Sequence, residues 1–173
     1  MSGCELYENI YEKFDDSEVE YYVYTDGSCK NNGKINAIAG IGIFFEKNDK
    51  RNVSKIIKGY CWRKNIQTNN SAELIAIKTV YEIIKDDINK GKKICIVTDS
   101  DYSIKCIRSY GEKCVKDNWK KNIPNKDLVF EIYNLYKNKD NVKFKHIKSH
   151  TNNTDIHSIG NRNAELLAYN AIN

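Results

Sequence analysis

Residues 21–25 form a run of aromatic and β-branched side chains that meets the turn signal Asp26-Gly27, and this predicts a strand closed by a turn. Residues 37–46 and 53–62 predict two further strands and hence a three-stranded antiparallel meander. Gly40 and Gly42 weaken the middle one. Past residue 70 the pattern changes: Leu74, Ile77, Tyr81 and Ile84 recur at helical spacing, which predicts a helix over residues 71–86. The short apolar run 94–98 is of strand length. Helices are predicted near 102–109, over 127–137 and over 161–171, with a last strand at 142–147. The order βββ-α-β-α-α-β-α predicts an α/β fold, a mixed sheet with helices packed on it.

The remaining segment, residues 1–19, shows no sustained apolar period and carries Asp15, Asp16 and Glu18. It reads as a short acidic tail, mobile or loosely docked, with Tyr7 and Tyr11 as anchors, ahead of a single domain over 20–173. Lys plus Arg number 28 against 23 Asp plus Glu, a formal charge of +5. That balance suits a polyanionic partner, and equally an ordinary basic, solvated surface. No apolar run approaches the ~20 residues of a membrane span, and the N-terminus has neither the basic start nor the apolar core of a signal peptide. An intracellular protein, cytoplasmic or nuclear and without membrane contact, is therefore expected. The six cysteines have neither C-x-x-C nor zinc-site spacing, so reduced thiols are expected.

Three carboxylates interrupt this pattern. Asp26 ends the first strand on the face shared by Tyr22 and Tyr24, although Asp-Gly is also a common turn. Glu73 lies in the first helical turn, four residues before Ile77, on the flank of the apolar stripe. A carboxylate there is desolvated, paired or cation-bound, or it merely compensates the helix dipole. Asp99 follows the apolar run 94–98 directly and could equally cap the next helix. With the first and fourth strands as neighbours, all three converge. Three converging carboxylates repel one another unless cations stand between them, and oxygen-only ligands suit Mg²⁺ or Mn²⁺.

Thr25-Asp26-Gly27-Ser28, Thr68-Asn69-Asn70-Ser71-Ala72-Glu73-Leu74 and Thr98-Asp99-Ser100 strongly resemble the three signatures of type 1 ribonuclease H. His150-Thr151, His157-Ser158-Ile159-Gly160-Asn161 and Ala164-Glu165-Leu166-Leu167-Ala168 complete that family's pattern in order, so the resemblance covers residues 21–173. It implies a ribonuclease H-like five-stranded mixed sheet, three antiparallel strands followed by parallel ones. The implied activity is that of an endonuclease hydrolysing the RNA strand of RNA–DNA hybrids by two-metal-ion chemistry, leaving 5′-phosphate and 3′-hydroxyl ends. The family's carboxylates fall on Asp26, Glu73, Asp99 and Glu165, which would hold two Mg²⁺ ions. The fourth position is normally aspartate; the longer Glu165 implies that Mn²⁺ substitutes for Mg²⁺ or is preferred. His150 matches the family's mobile histidine, which assists proton transfer or product release, and His157 is expected in the same loop. His146, in the preceding strand, is read as an ordinary core or surface histidine.

The same resemblance places Cys29, Asn32, Asn69 and Asn70 along the hybrid's minor groove, where 2′-hydroxyls are displayed. Thr68 and Asn125 match a pocket for a phosphate of the DNA strand, with Ile66 standing where the family often has arginine. Tyr110 and Trp119 bracket Lys113, Lys116, Lys120 and Lys121, a stretch similar to the family's basic protrusion and DNA channel; Trp119 reads equally well as a core residue. The expected partner is the RNA–DNA hybrid, bound by a monomer with no separate hybrid-binding module. Three other readings stay open from sequence: a catalytically silent hybrid- or RNA-binding domain, a DNA nuclease of the resolvase or integrase kind, and a protein whose acidic residues are only caps and turns.

Overall fold

The computed structural model describes residues 15–58 and 67–173. Five strands, β1 (Tyr21–Lys30), β2 (Ile38–Phe44), β3 (Val53–Ile56), β4 (Ile94–Thr98) and β5 (Val142–His146), form one sheet in the order β3-β2-β1-β4-β5. The β1–β2 and β2–β3 pairs are antiparallel, and β1–β4 and β4–β5 are parallel. Five α-helices accompany it: α1 (Asn69–Asn89), α2 (Asp101–Ile107), α3 (Ser109–Lys116), α4 (Lys126–Tyr136) and α5 (Ile156–Ala171). The mixed sheet is as the sequence predicts, and the first and fourth strands are the neighbours that convergence of the three carboxylates requires. Cys4, Tyr7, Tyr11, Cys61, Trp62 and Ile66, together with residues 59–62 of the predicted third strand, lie outside the described residues.

The larger core lies on one face of the sheet. Leu74, Ile77, Val80 and Ile84 from α1, Ile104 and Ile107 from α2, and Leu128, Val129 and Ile132 from α4 pack there with Val23, Ile43 and Ile96 of the sheet. Tyr136 is fully enclosed there, and its hydroxyl donates to the Ile77 carbonyl at 2.7 Å. On the opposite face Tyr24, Cys95, Val97 and Ala164 form a smaller cluster beneath α5. Gly42 explains how α5 lies so close. A Cβ on it would strike the Ala164 carbonyl and come within 2.6 Å of the Ala168 nitrogen. The two glycines that weaken the predicted second strand are thus strand residues over which helix backbone passes.

Three elements depart from the predictions. β1 does not end at Asp26-Gly27 but runs on to Lys30, because pairing with β2 continues through Asp26↔Gly42 and Gly27↔Ile41; a full ladder outweighs a dipeptide's turn preference. The helix predicted near 102–109 is two helices, α2 and α3, broken at Arg108 (φ −114°, ψ −107°). The last helix begins at Ile156 rather than near 161. Asp155 caps it by accepting from the Ser158 N–H at 3.1 Å and the Ser158 hydroxyl at 2.7 Å. Residues 16–18 form a short 3₁₀ turn, tied to the sheet through Tyr22 Oη donating to Asp16 (2.9 Å) and through a Lys93–Glu18 ion pair. Among the described residues no helix is long and apolar enough to cross a membrane.

Candidate active site

Parallel pairing of β1 with β4 stops at Thr25↔Thr98, so the next residues, Asp26 and Asp99, leave the pairing side by side. Glu73 joins them from the start of α1. That helix is anchored by a capping box: Thr68 Oγ1 accepts from the Ser71 N–H (3.0 Å), and Ser71 Oγ accepts from the Thr68 N–H (2.9 Å). Gly27 lets α1 come this close, since a Cβ there would lie 2.6 Å from the Glu73 nitrogen and 2.7 Å from the Ala72 Cβ. The Gly27 N–H then donates to Glu73 Oε1 at 3.0 Å. One oxygen from each of Asp26, Glu73 and Asp99 lies within 4.8 Å of the others.

This trio is electrostatically expensive. Burial pushes the Asp26 carboxyl up to about 7, and the Asp99 charge adds to the effect. Burial holds Glu73 well above the usual carboxylate range, with the Asp26 charge next in weight. Asp99 is raised as well, chiefly by burial, against a lowering bond from Asn161. Glu73 Oε2 is closed off from solvent and has no hydrogen-bond partner, though a buried acceptor of this kind is normally satisfied. An all-oxygen, largely buried, acidic cluster with one unpartnered carboxylate oxygen fits a hard divalent cation.

Glu165, from α5, stands beside this trio. Its Oε1 accepts from Asn161 Nδ2 at 3.0 Å, and the same nitrogen donates to Asp99 Oδ2 at 3.3 Å. Its Oε2 lies 3.9 Å from His150 Nδ1. His150 itself is 84% exposed and sits in a left-handed backbone conformation (φ 53°) at the mouth of the site. The loop that carries it is held from α5, where Arg162 donates to the Thr151 and Asn153 carbonyls at 3.0 and 2.7 Å. All four carboxylates and His150 line one open cleft of about 780 Å³, together with Cys29, Asn69, Arg162 and Tyr169.

Asn32 reaches the rim of this cleft, its Oδ1 accepting from the Asn69 N–H at 2.9 Å, and Asn70 is exposed on the first turn of α1. Thr68 and Asn125 are the N-caps of α1 and α4. Asn125 is buried and donates to the Tyr102 hydroxyl at 3.4 Å. Tyr110 and Trp119 do not line the cleft. Trp119 is half-buried and packs edge-on against Phe130 and Tyr133, with ring centroids 5.0 and 6.2 Å away, so it stabilises the α3–α4 corner in the manner of its core reading. His157 lies in the first turn of α5, not in the His150 loop, with its Nδ1 3.1 Å from the Tyr24 hydroxyl and its pKa lowered mainly by burial. His146 is exposed, with Nε2 3.2 Å from the Asp99 carbonyl. Asn161, which in the sequence only ends a family motif, and Arg162 carry no role assigned there. The available signal was helical spacing, which stacks Asn161 one turn before Glu165.

The RNase H family profile matches residues 18–173 of this chain. The chain belongs to the RNase H family. It is 36% identical over 146 residues to a probable ribonuclease H of Acanthamoeba polyphaga mimivirus, covering 81% of this chain and 61% of that one. It is 37% identical over 150 residues to a ribonuclease H of Schizosaccharomyces pombe, covering 84% and 50%. The chain thus spans about half to three-fifths of the length of these two RNase H relatives. In fold it is similar to LC11-RNase H1, a structure solved in complex with an RNA/DNA hybrid, with a TM-score of 0.57 at 22% identity over 88% of this chain and 96% of that one.

Proposed function

We propose that this protein is a metal-dependent endonuclease that hydrolyses the RNA strand of RNA–DNA hybrids, leaving 5′-phosphate and 3′-hydroxyl ends. The observation that carries this reading is the trio of buried Asp26 and Glu73 with half-buried Asp99, and its unpartnered Glu73 oxygen, at the floor of an open cleft in an RNase H family chain. Asp26, Glu73, Asp99 and Glu165 would hold two Mg²⁺ ions, or Mn²⁺ in their place. When bound, the ions supply Lewis-acid chemistry that activates the attacking water and stabilises the leaving 3′ oxygen.

The chain's own residues supply the rest. The Gly27 N–H holds one oxygen of Glu73 and so fixes the orientation of its carboxylate. His150, exposed at the mouth, would pass a proton between the leaving group and solvent. Cys29, Asn32, Asn69 and Asn70 would read 2′-hydroxyls, short polar groups that test the sugar without demanding a base. Thr68 and Asn125 would receive a DNA-strand phosphate. Tyr110, Trp119 and the exposed Lys113, Lys116, Lys120 and Lys121 would receive the DNA strand beyond it. The test is incubation with end-labelled RNA–DNA hybrid, RNA duplex and DNA duplex, each with Mg²⁺, Mn²⁺ or chelator. Metal-dependent cutting confined to the RNA of the hybrid is the expected result. Binding without cleavage in either metal would overturn the proposal in favour of a silent hybrid-binding domain.

A further inference from the structure

We propose that Asn161 is a positioning residue that ties Glu165 to Asp99, so that the place of the fourth carboxylate is set by this amide rather than by the reach of its own side chain. The inference rests on the proposed function, in which these carboxylates hold divalent ions.

Asn161 is 2% exposed, and its Nδ2 faces two carboxylates on different elements: Asp99 at the end of β4 (3.3 Å) and Glu165 on its own helix (3.0 Å). The carboxamide nitrogen has two N–H groups, and both are spent on negative oxygens. The other end of the amide pays for this, since Asn161 Oδ1 is closed off from solvent without a partner. Turning the amide over would bring its oxygen against two carboxylates, so the electrostatics of the site dictate which way it points. A buried carbonyl left unsatisfied calls for a reason, and the hold of this amide on two carboxylates supplies one.

The geometry also explains how glutamate serves at position 165. Residues four apart on a helix are stacked neighbours, and the glutamate stem is long enough to fold back along α5 to Asn161. There Glu165 is held beside Asp99 with its second oxygen turned towards His150 (3.9 Å), while the close cluster of ligand oxygens comprises Asp26, Glu73 and Asp99. An aspartate at 165, shorter by one carbon–carbon bond or ~1.5 Å, loses the contact with the amide. If length alone governed the fourth ligand, shortening it would tighten the site; with Asn161 as the anchor, shortening it loosens the site.

The experiment measures Mg²⁺ and Ca²⁺ affinity by calorimetry, alongside single-turnover cleavage of hybrid, for wild type, Asn161→Leu, Glu165→Gln, Glu165→Asp, and Asn161→Leu combined with each Glu165 variant. Asn161→Leu is expected to weaken ion binding and the cleavage rate by ~10–100-fold, the usual cost of losing a group that orients a metal ligand, with KM for hybrid within about twofold. Glu165→Asp is expected to weaken ion binding as well. Adding Asn161→Leu to either Glu165 variant should cost little more, because the anchored group is already gone. Full additivity, unchanged ion affinity in Asn161→Leu, or tighter Mg²⁺ binding in Glu165→Asp each overturns the inference. Should Asn161→Leu fail to fold, the Glu165→Asp affinity decides alone. A wild-type protein that neither binds divalent ions nor cuts hybrid would overturn the proposed function instead.

Discussion

Replacing Asp26 by asparagine should make the metal-free protein more stable, an unusual outcome for a change to a buried group. The side chain keeps its shape and loses its charge. The folded protein holds the Asp26 proton at about 7 against an ordinary 3.8, so this group favours folding only while protonated. Its contribution is fully present below about 3.8 and is lost as pH rises through about 7. At ~1.4 kcal/mol per pH unit, the charge at pH 8 costs at most ~4 kcal/mol. The relief is shared, because a proton on Glu73 or Asp99 already weakens the field at Asp26, so we expect a gain of ~1–3 kcal/mol. For a chain of this size that is about 3–9 °C in Tm. The assay is thermal unfolding in chelator at several pH values from 4 to 8, repeated with millimolar Mg²⁺. Asp26→Asn should unfold above wild type at pH 8, with a gap that narrows towards pH 4, and Mg²⁺ should stabilise wild type by more than the variant. A variant less stable than wild type at pH 8 without metal, or a gap that ignores pH, would refute the reasoning.

Asp99→Asn should abolish hybrid cleavage while leaving the circular dichroism spectrum intact; a near wild-type rate would remove Asp99 from the metal site. Hybrid affinity should fall by at least tenfold between ~50 and ~200 mM salt, since lysine–phosphate contacts release counterions, and a flat response by fluorescence anisotropy would contradict lysine-driven binding. Cleavage should require several consecutive ribonucleotides. Efficient cutting at a lone ribonucleotide within DNA, scored on a sequencing gel, would rule out the 2′-hydroxyl reading by Cys29, Asn32, Asn69 and Asn70. Gly27→Ala should cost both stability and metal affinity, because the new methyl group pushes α1 and with it Glu73 away from β1; unchanged Mg²⁺ affinity would show that Glu73 does not depend on this close approach.

Much of this molecule is local and therefore legible along the chain. Strand and helix periods, the apolar run 94–98 that delivers Asp99, and the placement of Asp26 and Glu73 at the margins of apolar segments need only neighbouring residues to be recognised. The carboxylate trio follows once β1 and β4 are adjacent, as they are. What local pattern misjudged or left open, the sheet and its cover decided. Asp26-Gly27 has the composition of a turn, yet pairing with β2 carries β1 through it, and the glycine serves to admit the backbone of α1. Trp119, among lysines in sequence, finds Phe130 and Tyr133 beside it only when α3 and α4 meet. The bond from Asn161 to Asp99 spans 62 residues, and the carbonyls held by Arg162 belong to a loop with no pattern of its own. Periodicity reports which face of an element is buried. It does not report which polar group waits on the other side, because a hydrogen bond between distant elements depends on packing that brings two atoms to ~3 Å, and that packing exists only in the folded chain.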